Sequence, residues 1–245
     1  MWKIVVDNWP KLLEGLGVTL EMTMIAVVIG FVIGVVLAIA RVYGNKFFYG
    51  ISTAIIEVIR GTPLLVQLFI LYYGLPPLGV NLSPFTAAII GFAINSGCYQ
   101  AEYLRGSIQS IAGNQMKAAR SLGMTKRQAI LQVIMPQAFR RVIPAWTNEF
   151  IYLLKYTSLA YIVGAPELMA QAKFIASRNF QFFEVYLVVA IIYLVVVLFF
   201  TKLFSILEKK WRFPVLNGLD RHVLPYIESR CRLASLRFIQ YNLYR

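Results

Sequence analysis

The side chains best suited to handling a polar solute in this sequence are few, and they sit in apolar surroundings: Gln67, Asn95, Glu149, Lys155 and Ser158. A zwitterion needs a partner of each sign, and Glu149 with Lys155 offers both. In hydrocarbon such groups are costly, so they either line a path or bridge helices, and both readings stay open here. Glu57–Arg60 and Glu102–Arg105 are each spaced i, i+3, which places each pair on one helix face and lets it neutralise itself. Self-neutralisation inside a bundle is favoured over substrate contact for both. The run Arg60-Gly61-Thr62-Pro63 has a different chemistry. Pro63 removes a backbone hydrogen bond, so a kink is expected near Gly61, serving either packing or gating.

Other chemistries have no residues to carry them. No G-x-x-x-x-G-K-[ST] loop, G-x-S-x-G elbow or H-E-x-x-H pair occurs in the chain. Cys98 and Cys231 form no C-x-x-C or His/Cys cluster, and the lone histidine is His222 in the tail. Neither a metal, a cofactor nor a catalytic set is therefore expected, and any ATP must be bound by another chain.

The elements that hold these residues are membrane spans. Of 245 residues, 59% are hydrophobic and 14% charged, and the mean hydropathy is +0.66. A soluble domain carries about a quarter charged residues, so the composition is that of a polytopic membrane protein. The net charge of +13 sits between apolar runs, where the positive-inside rule explains it better than nucleic acid does. The expected fold is all-α, with five transmembrane helices at about residues 16–40, 51–73, 85–105, 145–164 and 183–207. Lysine and arginine placement sets the N-terminus outside and the C-terminus in the cytoplasm. Residues 1–15, with Trp2 and Trp9, are expected to form an external amphipathic segment, and no signal-peptide cleavage site precedes the first span. The basic tail, 213–245, is either disordered or lies on the membrane surface. Gly30 and Gly34 give the first span a G-x-x-x-G spacing, which lets another backbone approach closely.

The longest polar stretch, Ser110 to Pro144, contains six cations and no acid. Asn114 can cap a first helix that stops at Gly123, a residue suited to a left-handed C′ position. Thr125 opens a second with Gln128 as its capping-box partner, and Ala129, Ile130, Val133 and Ile134 give it an apolar stripe before Pro136 ends it. Two capped amphipathic helices between spans form a docking element that needs a partner.

This stretch is similar to the EAA loop of ABC importer permeases, E-A-A-x3-G-x9-I-x-L-P, at Lys117, Ala118, Ala119, Gly123, Val133, Met135 and Pro136. Lysine replaces the first glutamate, opposing the dipole of a helix that would begin at Asn114 by about a few tenths of a kcal/mol. The blocks Gly17–Arg41, Arg60–Gln67, Ala101–Ile111 and Asn148–Leu159 resemble the polar amino acid (His/Glu/Gln/Arg) permease subfamily, and the resemblance covers residues 16 to about 212. It implies a permease of a prokaryotic cell (inner) membrane that pairs with itself or a sister chain. Two ATP-binding cassette ATPases would dock on a cytoplasmic coupling-helix loop between spans three and four, and an extracytoplasmic solute-binding protein would deliver the amino acid. ATPase coupling would fall to Lys117, Ala118, Ala119, Gly123, Met124, Val133 and Pro136. The alternatives are an ATPase-independent channel or secondary carrier, against which the lack of an inverted repeat argues, and a membrane-embedded enzyme.

Overall fold

The computed structural model describes residues 2–211, so the basic tail expected from 213 onward lies outside the described residues. Among them every regular element is helical. Helix α1 runs Trp2–Tyr43, α2 Lys46–Gly61 and α3 Leu64–Phe69, the last continuing as a π turn, Ile70–Gly74. A short 3-10 turn, Pro76–Leu78, leads to α4, Pro84–Ser121. Helix α5, Lys126–Gln128, passes through a π segment, Ala129–Ile134, into α6, Met135–Tyr156. A 3-10 stretch, Thr157–Val163, then α7, Leu168–Asn179, and α8, Phe182–Trp211, complete the order. Contacts group residues up to Ile206 into one helical bundle, to which the following description refers.

Several elements differ from expectation, each for a physical reason. The N-terminal segment is not separate: α1 is one helix of 42 residues, with Pro10 inside it. The expected kink in the second span is a break, with α2 and α3 bent by 103°. Thr62 is extended at φ −112°, ψ 143°, the conformation that a following proline imposes, so the helix stops before Pro63 and restarts after it. Helix α4 does not end near Arg105. It continues to Ser121, 38 residues in all, so Asn114 lies inside a helix and caps nothing. No proline interrupts it, and Ala112, Met116, Ala118 and Ala119 are good helix formers. Nor does Pro136 end a helix, because it falls in the first turn of α6, where a missing N–H costs little. The π segment before it absorbs the irregularity: the Met135 N–H reaches back to the Ile130 carbonyl, and the Gln137 amide donates to the Val133 carbonyl at 2.9 Å.

Among the described residues, two helices are long and apolar enough to cross a membrane, Val6–Tyr43 and Phe182–Lys209, and the bent α2–α3 pair makes three if it counts as one span. Helix α4 carries too many polar groups to qualify on hydropathy, yet Asn95, Ser96 and Gln100 are buried in the bundle. Its closest neighbour is α1. A Cβ on Gly34 would lie 3.0 Å from the Gly97 carbonyl oxygen, and one on Gly97 would lie 2.8 Å from Ile33 Cγ2 and 3.0 Å from the Gly30 oxygen. The G-x-x-x-G spacing therefore does make a backbone-to-backbone contact, completed by a glycine on the partner helix.

Three apolar clusters lie around these helices. Met22, Ala26, Phe92, Phe150, Leu153 and Leu154 belong to one, with Phe200 and Phe204 of α8 packed against it. Ile56, Leu104, Ile108, Ile134 and Met135 belong to a second, which anchors the π segment to the lower half of α4. Leu12, Leu168, Ala172, Ile175, Val185 and Val189 form most of the third. Here Glu167, fully buried, caps α7 by accepting from the Met169 and Ala170 N–H groups at 2.7 and 2.8 Å, and the Tyr193 hydroxyl donates to it at 3.2 Å. Thr19 of α1 accepts the Leu168 N–H at 3.2 Å, so one short region ties α1, α7 and α8 together.

The glycine contact sets a test. Gly97→Val is expected to cost on the order of 1–3 kcal/mol, because backbone on α1 cannot yield as a side-chain end can. Gly17→Val, with nothing within 4 Å of its added Cβ, should cost far less. Thermal unfolding of the two variants in the same detergent measures the difference, and equal melting temperatures would refute the close-contact reading.

Candidate translocation and coupling sites

The polar side chains within the bundle are arranged around the middle of α4. Gln67 stitches the α2–α3 break: its amide nitrogen donates to the Ile59 carbonyl at 2.7 Å, the Thr62 carbonyl at 3.1 Å and the Thr62 hydroxyl at 2.9 Å. Asn95 then donates to the Gln67 amide oxygen at 3.1 Å, which brings α4 onto the break. One residue on, the Ser96 hydroxyl accepts from the Gln100 amide at 3.0 Å, and the Tyr103 hydroxyl donates to the Glu149 carboxylate on α6 at 3.3 Å. Gln100 faces α1 and reaches the Val27 carbonyl at 3.4 Å. Buried polar groups without partners would cost several kcal/mol each in hydrocarbon, and this distribution supplies partners for these groups except the Gln100 amide oxygen, which is buried without one.

The residues singled out for a solute path therefore separate into two places. Gln67, Asn95 and Glu149 are buried and joined to protein groups. Lys155 is exposed on another face of α6, so the two charges that could clasp a zwitterion do not converge within one chain. Ser158 is half-buried, and its hydroxyl donates to the Lys155 carbonyl at 2.7 Å. Around Lys155 lies a stripe the sequence did not single out. Asn148, Tyr152, Lys155 and Tyr156 are all exposed, at spacings of four, seven and eight from Asn148, hence on one side of α6. The Lys155 ammonium sits 4.7 Å from the Tyr152 ring centroid, and the Tyr152 and Tyr156 rings stack at 6.5 Å. From Phe182 to Phe199 the exposed residues of α8 are all apolar, among them Leu187, Ile191, Leu194, Val195 and Leu198, which suit lipid. The signal for the α6 stripe was in the spacing of polar and tyrosine residues, not in any one of them.

At the other end of the polar region lies a charge cluster in which the expected pairings are only half present. Glu102 and Arg105 are paired, through bonds of 2.8 and 3.1 Å. Glu57 and Arg60 do not pair with each other. Arg60 reaches Glu102 at 3.5 Å, and Glu57 reaches Arg41 at 3.7 Å. Arg41 also binds Glu102 directly. Glu102 thus receives three arginines, from α1, α2 and its own helix, while Arg60 also lies 5.0 Å from the Tyr99 ring centroid. The i, i+3 rule identified one partner correctly and missed the two that come from other helices.

The docking stretch ends α4 in a Schellman motif. The Met124 N–H bonds the Ala119 carbonyl at 3.1 Å, the Gly123 N–H bonds the Arg120 carbonyl at 3.0 Å, and Gly123 has φ +82°. The capping box follows at once: the Thr125 N–H donates to Gln128 Oε1 at 2.8 Å, and the Gln128 N–H to Thr125 Oγ1 at 3.3 Å. Lys117, Ala118, Gly123 and Pro136 are exposed, Ala119 is buried, and Met124 and Val133 are half-buried. The first four face outward from the bundle, whereas Ala119 holds the tip against it. Lys117 lies in the last two turns of α4, where the helix dipole favours a cation, so its expected conflict with a helix N-terminus does not arise.

The charge cluster can be tested directly. Glu102→Gln, which strands three arginines around a side chain 15% exposed, should cost on the order of 3 kcal/mol. Glu57→Gln, where the carboxylate is 69% exposed, should cost about 1 kcal/mol or less. Equal shifts in chemical-denaturant midpoint would remove Glu102 from its central place.

Residues 30–213 match the family of binding-protein-dependent transport system inner membrane components. A probable amino-acid ABC transporter permease protein of Vibrio harveyi, PatM, is 45% identical over 201 residues, covering 81% of this chain and 90% of that one. The glutamine transport system permease protein GlnP of Escherichia coli K12 is 35% identical over 213 residues, covering 86% of this chain and 97% of its own. Among solved structures, an amino acid ABC transporter crystallised with histidines superposes with a TM-score of 0.81 at 42% identity, over 84% of this chain and 96% of that one. The inward-facing MetNI methionine transporter, at 22% identity and a TM-score of 0.72, shares the fold. The chain belongs to the family of inner-membrane components of binding-protein-dependent transport systems.

Proposed function

We propose that this chain is the permease subunit of an ATP-driven importer of polar amino acids, multi-pass in a bacterial inner membrane with its N-terminus outside. The observation that carries the reading is a continuous α4. One helix holds Asn95 and Ser96 within the bundle at one end and the capped docking tip at the other, so a push on the tip reaches the polar centre without a joint. Five spans then comprise α1, the broken α2–α3 pair, the first two-thirds of α4, α6 with its 3-10 extension, and α8. The relatives named for amino acids, and the structure solved with histidines, support the substrate class.

A second permease copy or sister chain completes the path. Lys155, exposed on a span beside two tyrosines, suits a water-filled interface better than lipid. The α6 stripe of two subunits would then line one passage, with Asn148, Tyr152, Lys155 and Tyr156 facing solute. Gln67, Asn95 and Glu149 support that wall from behind and hold the α2–α3 break in place. Arg60, Gly61, Thr62 and Pro63 form a hinge in this reading, since Gln67 alone supplies the side-chain bonds across the break. Two ATPases dock on the tips of the two subunits, and a solute-binding protein docks on the outer face.

Reconstitution decides between this and an ATPase-independent carrier. In vesicles holding the permease, its ATPase and an external binding protein, uptake of a polar amino acid should require ATP and collapse without the ATPase. Uptake driven by an ion gradient in vesicles of the permease alone would overturn the proposal. Gly123→Val is expected to weaken ATPase association roughly tenfold, because a β-branched residue is strained at φ +82° even with open space around it. Co-purification at wild-type yield would contradict the coupling role of the tip.

A further inference from the structure

The Gln100 amide oxygen on α4 and the Trp146 indole N–H on α6 are both buried, and neither has a hydrogen-bond partner among the described residues. One is an acceptor and the other a donor, so their needs are complementary. They do not bond each other, yet both residues line one small cavity, with Phe31, Leu104 and Val142 among its other walls. Neither side chain is free to turn away. The Gln100 amide nitrogen donates to the Ser96 hydroxyl at 3.0 Å and the Val27 carbonyl at 3.4 Å, which fixes the side on which its oxygen lies. The Trp146 ring lies edge-on to Phe31, with centroids 5.7 Å apart and planes at 63°. A buried donor or acceptor left bare carries its full desolvation penalty, and here two such groups stand at one cavity.

We infer that this cavity is the binding site of one ordered water molecule, which joins α4 to α6. Its volume, about 10 Å³, is close to the least that admits a single water and excludes any larger solute. The Trp146 N–H donates to the water oxygen, and one hydrogen of the water goes to the Gln100 oxygen. Tyr103 lines the same cavity. Its hydroxyl proton is given to Glu149 at 3.3 Å, so the hydroxyl oxygen is open to accept the second hydrogen. Three bonds are the usual complement of a buried water. Dry cavities belong to wholly apolar walls, and these walls are not wholly apolar. A chain of hydrogen bonds then runs from the Val27 carbonyl of α1 through Gln100 and the water to Trp146, with a branch through Tyr103 to Glu149. It ties the helix that carries the exposed stripe to the helix that carries the docking tip, whatever solute is moved and whatever drives it.

The test uses the full chain, with its tryptophans labelled with nitrogen-15, in lipid nanodiscs. The Trp146 indole signal is identified by its loss in Trp146→Phe, and dipolar magnetisation transfer between that N–H and water protons is measured. Transfer is expected in the wild type, and its loss is expected in Gln100→Leu, which removes one of the two groups that hold the water. An indole N–H that receives no transfer from water would overturn the inference, as would transfer that survives Gln100→Leu undiminished. Thermal unfolding gives a second readout. Gln100→Leu and Trp146→Phe break the same bridge, so the melting-temperature shift of the double variant should fall well short of the sum of the single shifts. Additive shifts would contradict a shared water. Where a variant fails to fold, the wild-type transfer decides alone.

Discussion

The close contact of α1 with α4 at Gly30, Gly34 and Gly97 is what the rest of the bundle depends on. With no hydrophobic effect between helices in lipid, packing area must come from close approach, and small residues supply it. Drawing α4 into the centre also solves its main chemical problem. The helix is too polar to face lipid, and in the centre it can turn Asn95 to Gln67, Tyr103 to Glu149, Gln100 to α1 and Glu102 to Arg41 and Arg60. Each neighbouring helix is bound through a different polar residue on successive turns. Packing and polar satisfaction are therefore one arrangement, not two.

That arrangement separates what is fixed from what can move. The α1–α4 contact and the Glu167 region leave little slack. The α2–α3 break is held differently, by Gln67, Asn95 and the Arg60–Glu102 pair, all of which are polar contacts that can be exchanged. A bundle that must open alternately to two sides needs such a division. The π segment, through Ile134 and Met135, packs in one apolar cluster with Leu104 and Ile108 of α4 and so belongs to the fixed part.

Much of this was legible in the residues. Gly123 and the Thr125–Gln128 box were found because helix ends are local, decided within a few positions. The glycine spacing on α1 was legible, but its partner, Gly97, was not, because close approach involves two helices and the sequence pattern shows one. Asn114 misled because capping preference is a weak prior, and α4 gains more by continuing. Pro136 misled because a proline is tolerated in a first turn, and the π segment that puts it there has no sequence signature of comparable strength. The Arg60–Glu102 and Arg41–Glu102 pairs were invisible to any rule of local spacing, since Arg41 stands 61 residues from its partner. The separation of Glu149 from Lys155 follows simply from helical geometry: six residues carry a side chain well round the axis.

The central claim is that α4 acts as one rigid rod between the docking tip and the polar centre. Gly113 offers a place to break it, since the residue is exposed and nothing lies within 4 Å of an added side chain. Proline there removes a helical hydrogen bond and costs about 3 kcal/mol of local helix stability. The measurement is amino acid transported per ATP hydrolysed, in reconstituted Gly113→Pro complexes that still bind their ATPase. A rigid rod predicts that hydrolysis continues while transport per ATP collapses; transport per ATP equal to that of the wild type would contradict it.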